Sequence, residues 1–137
     1  MHRSLFESYG AFDESLPVCE DYDLWLRITP HEEVGLIEEK LIIKYGGHPD
    51  QLSRSEPAID RFRVFALIKL LTSGKLSAQQ TELLVDELKE KLTILKKGAV
   101  KHSPEMVSMY DGLLKQAGAP ERFETTPERL QELVGQI

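Results

Sequence analysis

The residues SAQQTELLVDELKEKLTILKKG, numbered 77–98, decide the fold of this chain. Ser77 and Gln80 have the spacing of a capping box, in which each side chain bonds the backbone N–H of the other residue at a helix start. Leucines then recur every three or four residues and form one row on a helix: Leu84, Leu88, Leu92 and Leu95. The stretch therefore predicts a long helix that begins after Ser77, ends at Gly98 and packs its leucine row on other helices.

Helical patterns also lie on both sides of this stretch. Their start and stop residues indicate three more helices: one from Pro57 to Ser73-Gly74, one from Ser103-Pro104 to near Gly118, and one capped by Thr125 or Thr126. Short connections between successive helices favour antiparallel packing. Residues 56–137 are therefore predicted to be a helical extension that forms an antiparallel bundle.

Residues 1–55 are more mixed. Two short helices are expected there, one capped by Ser4 that runs to Tyr9 and stops at Gly10, and one from Glu20 to Ile28 that Thr29-Pro30 ends.

The apolar runs Val34–Ile37 and Leu41–Ile43 indicate two short strands, with a helix through residues 38–40 as the alternative. The predicted fold class is therefore mainly α, with a small β element near residues 33–45. The N-terminal segment is expected to pack on the bundle.

The net charge limits the classes of binding partner, and the cysteine count and the absence of a membrane segment indicate the cellular compartment. The formal net charge is −6 and the pI is about 5.2, which argues against a nucleic-acid or anionic-membrane surface. The single cysteine, Cys19, excludes an intrachain disulfide and fits a reducing compartment. The sequence contains no transmembrane run and no signal peptide, so a cytoplasmic location is expected.

Two motifs follow each other in the N-terminal third: GAFDE at residues 10–14 and EDYDLWLR at residues 20–27. In this order, and with Phe6 before them, they resemble the family 2 glycosyltransferases of the inverting GT-A type. The loop GGHPDQLS at residues 46–53 is similar to the stretch that follows this motif in a bacterial subgroup. The resemblance covers about the first 55 residues, and the helical remainder is similar to the C-terminal extension of that subgroup.

The resemblance implies that the chain is the acceptor-side, C-terminal part of such an enzyme. Asp21 is the implied general base, which takes the proton of the acceptor hydroxyl as that oxygen attacks the anomeric carbon. Glu20 is implied to orient Asp21 or to bind an acceptor hydroxyl. The candidate acceptor-binding residues are Trp25, Arg27 and His48.

Each acceptor-binding candidate has a structural alternative. Trp25 lies between Leu24 and Ile28 in the sequence, which favours a core position over a sugar-stacking platform. Arg27 has the spacing of an i,i+4 ion pair with Asp23 on a solvated helix face. His48 lies in a glycine-rich loop, where it serves the loop, contacts the acceptor, or acts as a third metal ligand as in some GT-A enzymes.

The half of the enzyme that binds the sugar nucleotide is not recognisable in this sequence. GT-A enzymes hold the nucleotide on a Rossmann-like half, where an Asp-x-Asp motif binds the metal that neutralises the diphosphate. The Asp-x-Asp string at residues 21–23 belongs to the acceptor motif, so no metal residue is assigned and no cofactor is expected in this chain. A complete enzyme would add Mg²⁺ or Mn²⁺, a nucleotide sugar and a glycan, lipid or protein acceptor, and the isolated chain is expected to be inactive.

Two alternative functions are a helical interaction module and a metal-dependent hydrolase. A non-enzymatic helical interaction module, for example a homodimer, would explain apolar rows on several helices, and the partner would then be a second copy or the missing N-terminal half. A metal-dependent hydrolase has little support, because the four histidines show none of the paired spacings of zinc sites: His2, His31, His48 and His102.

Overall fold

The computed structural model describes residues 1–43, 45, 56–125 and 135. Its α-helices are α1 (Ser4–Tyr9), α2 (Glu20–Ile28), α3 (Asp60–Leu71), α4 (Ala78–His102) and α5 (Val107–Gln116). Short 3-10 turns at Pro104–Met106 and Pro120–Arg122 flank α5. The described chain is mainly helical, as the sequence predicts, and none of its helices is long and apolar enough to cross a membrane. The last predicted helix, after Thr125, falls almost wholly outside the described residues.

Helix α4 confirms the predicted capping box. The Ser77 hydroxyl accepts a hydrogen bond from the Gln80 backbone N–H at 3.2 Å, and the Gln80 side chain accepts one from the Ser77 N–H at 2.9 Å. The predicted end at Gly98 is wrong, because α4 continues to His102. Glycine inside a helix costs about 1 kcal/mol relative to alanine, and the burial of Leu95 and Ala99 on either side of Gly98 offsets that cost.

The helices α3, α4 and α5 form the main core and run antiparallel to their neighbours. The start of α3 and the end of α4 line one cleft together, with Ile59 and Leu95 in its walls. The end of α3 and the start of α4 line a second cleft, with Leu71 and Val85 in its walls, so the two helices run in opposite directions. The core residues are fully or nearly buried: Val64, Leu67, Ile68, Leu70, Leu84, Leu88, Leu92, Leu95, Ala99, Tyr110, Leu113 and Ala117.

A second, smaller core joins the N-terminal segment to α3. Leu16, Val18 and Cys19 pack on Phe62, which is completely buried. Helix α3 therefore contributes to both cores, and the expectation that the N-terminal segment packs on the helical part is met.

The turn at Gly10 brings the end of α1 close to α2. Gly10 has φ +80°, in the left-handed region, and a Cβ at this position would lie 3.2 Å from the Arg27 guanidinium. Both constraints favour glycine here. Helix α1 ends at Tyr9 as predicted, but Ser4 is its first helical residue and not its cap, since the cap position belongs to Arg3 and has no side-chain hydrogen bond.

The predicted β element is not formed in the described residues 33–43 and 45, and neither is the alternative helix through residues 38–40. These residues make no backbone hydrogen bond to any other residue that the structure describes, and a strand requires a neighbouring strand to form its ladder. Their apolar side chains point into solvent, with Leu36 87% and Ile42 83% exposed. The sequence pattern favours strands, but no partner strand lies among the described residues.

Shortening a leucine side chain of α4 to alanine should destabilise the protein only where that side chain is buried. We expect Leu88→Ala, at a fully buried position of α4, to lower the free energy of unfolding by about 2–5 kcal/mol, because it leaves a cavity. Leu83→Ala on the same helix is the control, since Leu83 is 66% exposed, and its effect should stay within about 0.5 kcal/mol. Urea unfolding measures both, and equal effects would contradict the described packing of α4.

Candidate functional site

A network of four charged side chains lies beneath the two N-terminal motifs. The Lys69 ammonium of α3 is 2.8 Å from a carboxylate oxygen of Asp23 and 2.6 Å from one of Asp13. The second oxygen of Asp23 accepts a hydrogen bond from Arg27 Nε at 3.0 Å. The Asp23 side chain is only 2% exposed, so this carboxylate is bound between two cations inside the protein.

Arg27 also fixes the loop between α1 and α2. Its Nη1 donates to the backbone carbonyl of Tyr9, and its Nη2 donates to the carbonyl of Ala11 at 2.7 Å. The predicted i,i+4 pair with Asp23 is confirmed, but its predicted location on a solvated face is wrong. The sequence spacing could not show that Lys69, 46 residues after Asp23, would cover that face.

The network balances its own charge. A buried carboxylate is unfavourable unless it is paired and hydrogen-bonded, and here two acids meet two bases. Partial burial by itself would raise the pKa of Asp13, but hydrogen bonds from Lys69 and from Ser15 outweigh burial and lower that pKa to about 2. Asp13 therefore stays ionised at all physiological pH values and holds its loop against α3.

Glu20 and Asp21 lie where the sequence predicts, in the first turn of α2. Asp21 is exposed and accepts a hydrogen bond from the Tyr22 backbone N–H at 2.7 Å, while Glu20 is partly buried. Its exposure to solvent leaves the Asp21 carboxylate accessible to another molecule. The assignment of Asp21 as a base stays a prediction.

Cys19 precedes this turn and adopts the left-handed backbone conformation, with φ 63°. Its thiol is buried, and burial raises its pKa. A buried thiol of raised pKa is a poor nucleophile, which fits the interpretation of Cys19 as a small packing residue.

Trp25 does not lie in the core. It is 42% exposed, whereas Leu24 and Ile28 are each 1% exposed, so the core interpretation of Trp25 is wrong. Asp23 is buried instead, and Arg27 and Lys69 cover its carboxylate. Asp21 and Trp25 are four residues apart and therefore neighbours on the exposed side of α2.

The candidate residues are not all brought together. Arg27 lines a cleft of about 320 Å³ together with Tyr9, His31, Lys69 and Lys75, and none of Glu20, Asp21 and Trp25 lines it. The described part of the chain thus has an exposed Asp21–Trp25 face and a separate cleft at Arg27, which Asp23 and Lys69 also line. The GAFDE and EDYDLWLR motifs are connected by the ion pairs of Lys69 with Asp13 and Asp23, and they do not line a common pocket.

His48 and its loop at residues 46–53 lie outside the described residues, so their predicted roles are not tested. Within the described ranges, no group of three or more histidine, cysteine, aspartate or glutamate side chains is placed to hold a metal ion. The Asp21–Asp23 string does not act as a chelate, because Asp23 points into the protein while Asp21 is exposed.

The contacts of Lys69 with Asp13 and Asp23 were not predicted from the sequence. One signal was present: a lone lysine interrupts the apolar stretch FALIKLL at residues 65–71. A cation in such a stretch is expected to find an acidic partner when its helix is buried. Asp13, inside the first motif, is that partner together with Asp23.

Comparisons of this chain with protein-family models, with curated proteins and with solved structures find no match. The resemblance to glycosyltransferases therefore rests on the motif residues of the sequence alone.

The network should contribute more to stability than an exposed ion pair does. We expect Lys69→Met to lower the free energy of unfolding by about 1–3 kcal/mol, because it leaves the Asp23 carboxylate with one cation only. Lys96→Met is a matched control: Lys96 is similarly exposed, but its partner Asp111 is 41% exposed, so the loss should stay below about 1 kcal/mol. Thermal and urea unfolding compare the two variants, and an equal loss would contradict a special role for Lys69.

The lowered pKa of Asp13 predicts a defined loss of stability in acid. A pKa below the unfolded value of 3.8 stabilises the fold above about pH 4, and this contribution is lost as the pH falls from about 4 towards 2. After allowance for screening of a side chain that is one-quarter exposed, the loss should be about 1 kcal/mol.

Asp13→Asn should remove this step from the pH dependence of the unfolding free energy, measured by urea titration between pH 5 and 2. Glu14→Gln, which removes the exposed neighbouring carboxylate, should keep it. A step that persists unchanged in Asp13→Asn would show that other carboxylates cause it.

Proposed function

We propose that this chain is the acceptor-side, C-terminal part of an inverting family 2 glycosyltransferase, which transfers a sugar from a nucleotide sugar to an acceptor. The observation that carries the proposal is the placement of the EDYDLWLR motif. Its Glu20 and Asp21 lie in the accessible first turn of α2, while Asp23 and Arg27 of the same motif anchor that helix from within.

In this proposal Asp21 receives the proton of the acceptor hydroxyl as the oxygen attacks the anomeric carbon. A base needs a fixed position and access to its substrate. The buried network around Asp23 fixes the position of α2, and the exposure of Asp21 gives the substrate access to its carboxylate. Trp25, one turn further along the same exposed side, offers an aromatic face on which a sugar ring can stack. Glu20 orients Asp21 or binds an acceptor hydroxyl, and Arg27 and His48 belong to the acceptor side.

The donor side requires a second half of the protein, which binds the nucleotide sugar with Mg²⁺ or Mn²⁺. The exposed apolar residues between Val34 and Ile43 support such a partner, because a patch of this kind is unusual on a protein that works alone. Their strand-like sequence fits pairing with the edge of a β-sheet, which would supply backbone hydrogen bonds and apolar cover together.

The alternative is a non-enzymatic helical interaction module that dimerises. The same exposed residues favour it, since they would also be covered in a symmetric dimer. Light scattering after size-exclusion chromatography tests this alternative: a stable dimer of the isolated chain supports it, and a monomer at all concentrations contradicts it.

The glycosyltransferase proposal is tested with the complete coding region. We expect the coding sequence just upstream to encode a donor-binding half, and the joined protein to release nucleoside diphosphate from UDP- or GDP-sugars with Mn²⁺ when a glycan acceptor is present. Asp21→Asn should reduce that rate by about 10²–10⁴-fold, the usual contribution of a general base. Asp86→Asn, at an exposed position of α4, is the control and should leave the rate unchanged.

The isolated chain provides a second measurement. Isothermal titration with UDP- and GDP-sugars plus Mn²⁺ should show no binding, because the donor site is proposed to lie in the other half. Micromolar binding would contradict that division of the site, and unrelated upstream sequence would contradict the proposal as a whole.

A further inference from the structure

A cleft of about 460 Å³ lies at the far end of the bundle from the acceptor motif's network. It is formed where the start of α3 meets the last turns of α4 and the 3-10 turn Pro104–Met106. Its volume is within the range of about 300–1,000 Å³ that is usual for small-molecule sites. None of the candidate glycosyltransferase residues Glu20, Asp21, Trp25 and Arg27 lines it.

The walls of this cleft are mainly apolar. Ile59 from one side and Ile94, Leu95 and Ala99 of α4 from the other provide aliphatic surface, and Met106 adds a flexible thioether. Such a lining favours an apolar ligand, because water gains few hydrogen bonds there.

Tyr110 supplies a polar group to this apolar cleft. Its side chain is 4% exposed, and burial raises the pKa of its hydroxyl, so the hydroxyl stays protonated and neutral. No hydrogen bond joins this hydroxyl to another residue within the described part of the chain. The hydroxyl oxygen is not one of the fully enclosed polar atoms that lack a partner, so it is open to the cleft, where a ligand atom that accepts or donates a hydrogen bond can replace water as its partner.

The two acidic residues that line the cleft, Glu56 and Asp60, are each paired with an arginine. The Glu56 carboxylate is 3.1 Å from the Arg61 guanidinium, and the Asp60 carboxylate is 2.7 Å from that of Arg63. A charged ligand would have to compete with these pairs, whereas a neutral ligand would not.

We propose that this cleft is a binding site for a small, uncharged, mostly apolar molecule with one hydrogen-bonding group, which the Tyr110 hydroxyl meets. The site is independent of the proposed glycosyltransferase function, since it shares no residue with that site.

Gly98 gives direct experimental access to this site. It lies on the α4 wall of the cleft, and a Cβ built there has no heavy atom within 4 Å. A phenylalanine at this position therefore begins in open space on the cleft wall, where its ring can obstruct the cleft. Because glycine is a poor helix residue, the same change should not destabilise α4.

The experiment uses the fluorescent probe N-phenyl-1-naphthylamine, which is uncharged, mostly apolar and carries one N–H group. We expect saturable binding to the wild-type chain, loss of that binding in Gly98→Phe, and retention in Val100→Phe. Val100 is 60% exposed on the same helix and does not line the cleft, so Val100→Phe controls for an added aromatic side chain. Tyr110→Phe should weaken binding by about three- to tenfold, the usual effect of one hydrogen bond.

Chemical-shift mapping of the wild-type chain keeps the proposal testable if a variant fails to fold. Shifts from the probe should concentrate at the start of α3 and the end of α4. No saturable binding, equal binding in Gly98→Phe, or shifts confined to the exposed residues 34–43 would each overturn the proposal.

Discussion

Lys69 is the constraint on which the rest of the N-terminal structure depends. Its ammonium binds Asp13 in the first motif and Asp23 in the second, so one side chain of α3 fixes two segments that are ten residues apart in sequence. Arg27 then extends this connection to the carbonyl groups at the end of α1. Without the cation, the buried Asp23 carboxylate would have a single partner, and α2 would lose its main polar attachment to the helical extension.

This arrangement divides α2 into two sides with different tasks. One side is buried and carries Asp23, Leu24 and Ile28, which hold the helix in position. The other side carries Asp21 and Trp25 and is accessible to other molecules. The proposed function needs this combination, because a carboxylate that accepts a proton from a bound sugar must be accessible and must also be fixed relative to the reacting oxygen.

The sequence predicted local features better than long-range ones. The bounds of α2, the capping box of α4 and the glycine stop of α1 follow from neighbouring residues, and all were found. The continuation of α4 past Gly98 was missed, because the burial of Leu95 and Ala99 overrides the low helix propensity of one residue.

The pairing of Asp23 with Lys69 and the exposure of Trp25 were missed for a related reason. Both depend on where α3 packs, and the spacing of residues within α2 contains no information on that. The apolar residues 34–43 show the opposite case: the sequence pattern favours strands, but strands require a partner, and none is found within the described ranges.

The position of α3 has a consequence for how the chain unfolds. The sequence motifs end near residue 55, which suggests a division of the chain there. However, α3 carries Phe62 of the N-terminal core and also Val64 and Leu67 of the bundle core. Because both cores use α3, detaching the N-terminal segment would expose Phe62 on that helix, so the smaller core cannot open without a cost to the packing of α3. Residue 55 therefore divides the motifs of the sequence but not the packing of the described chain.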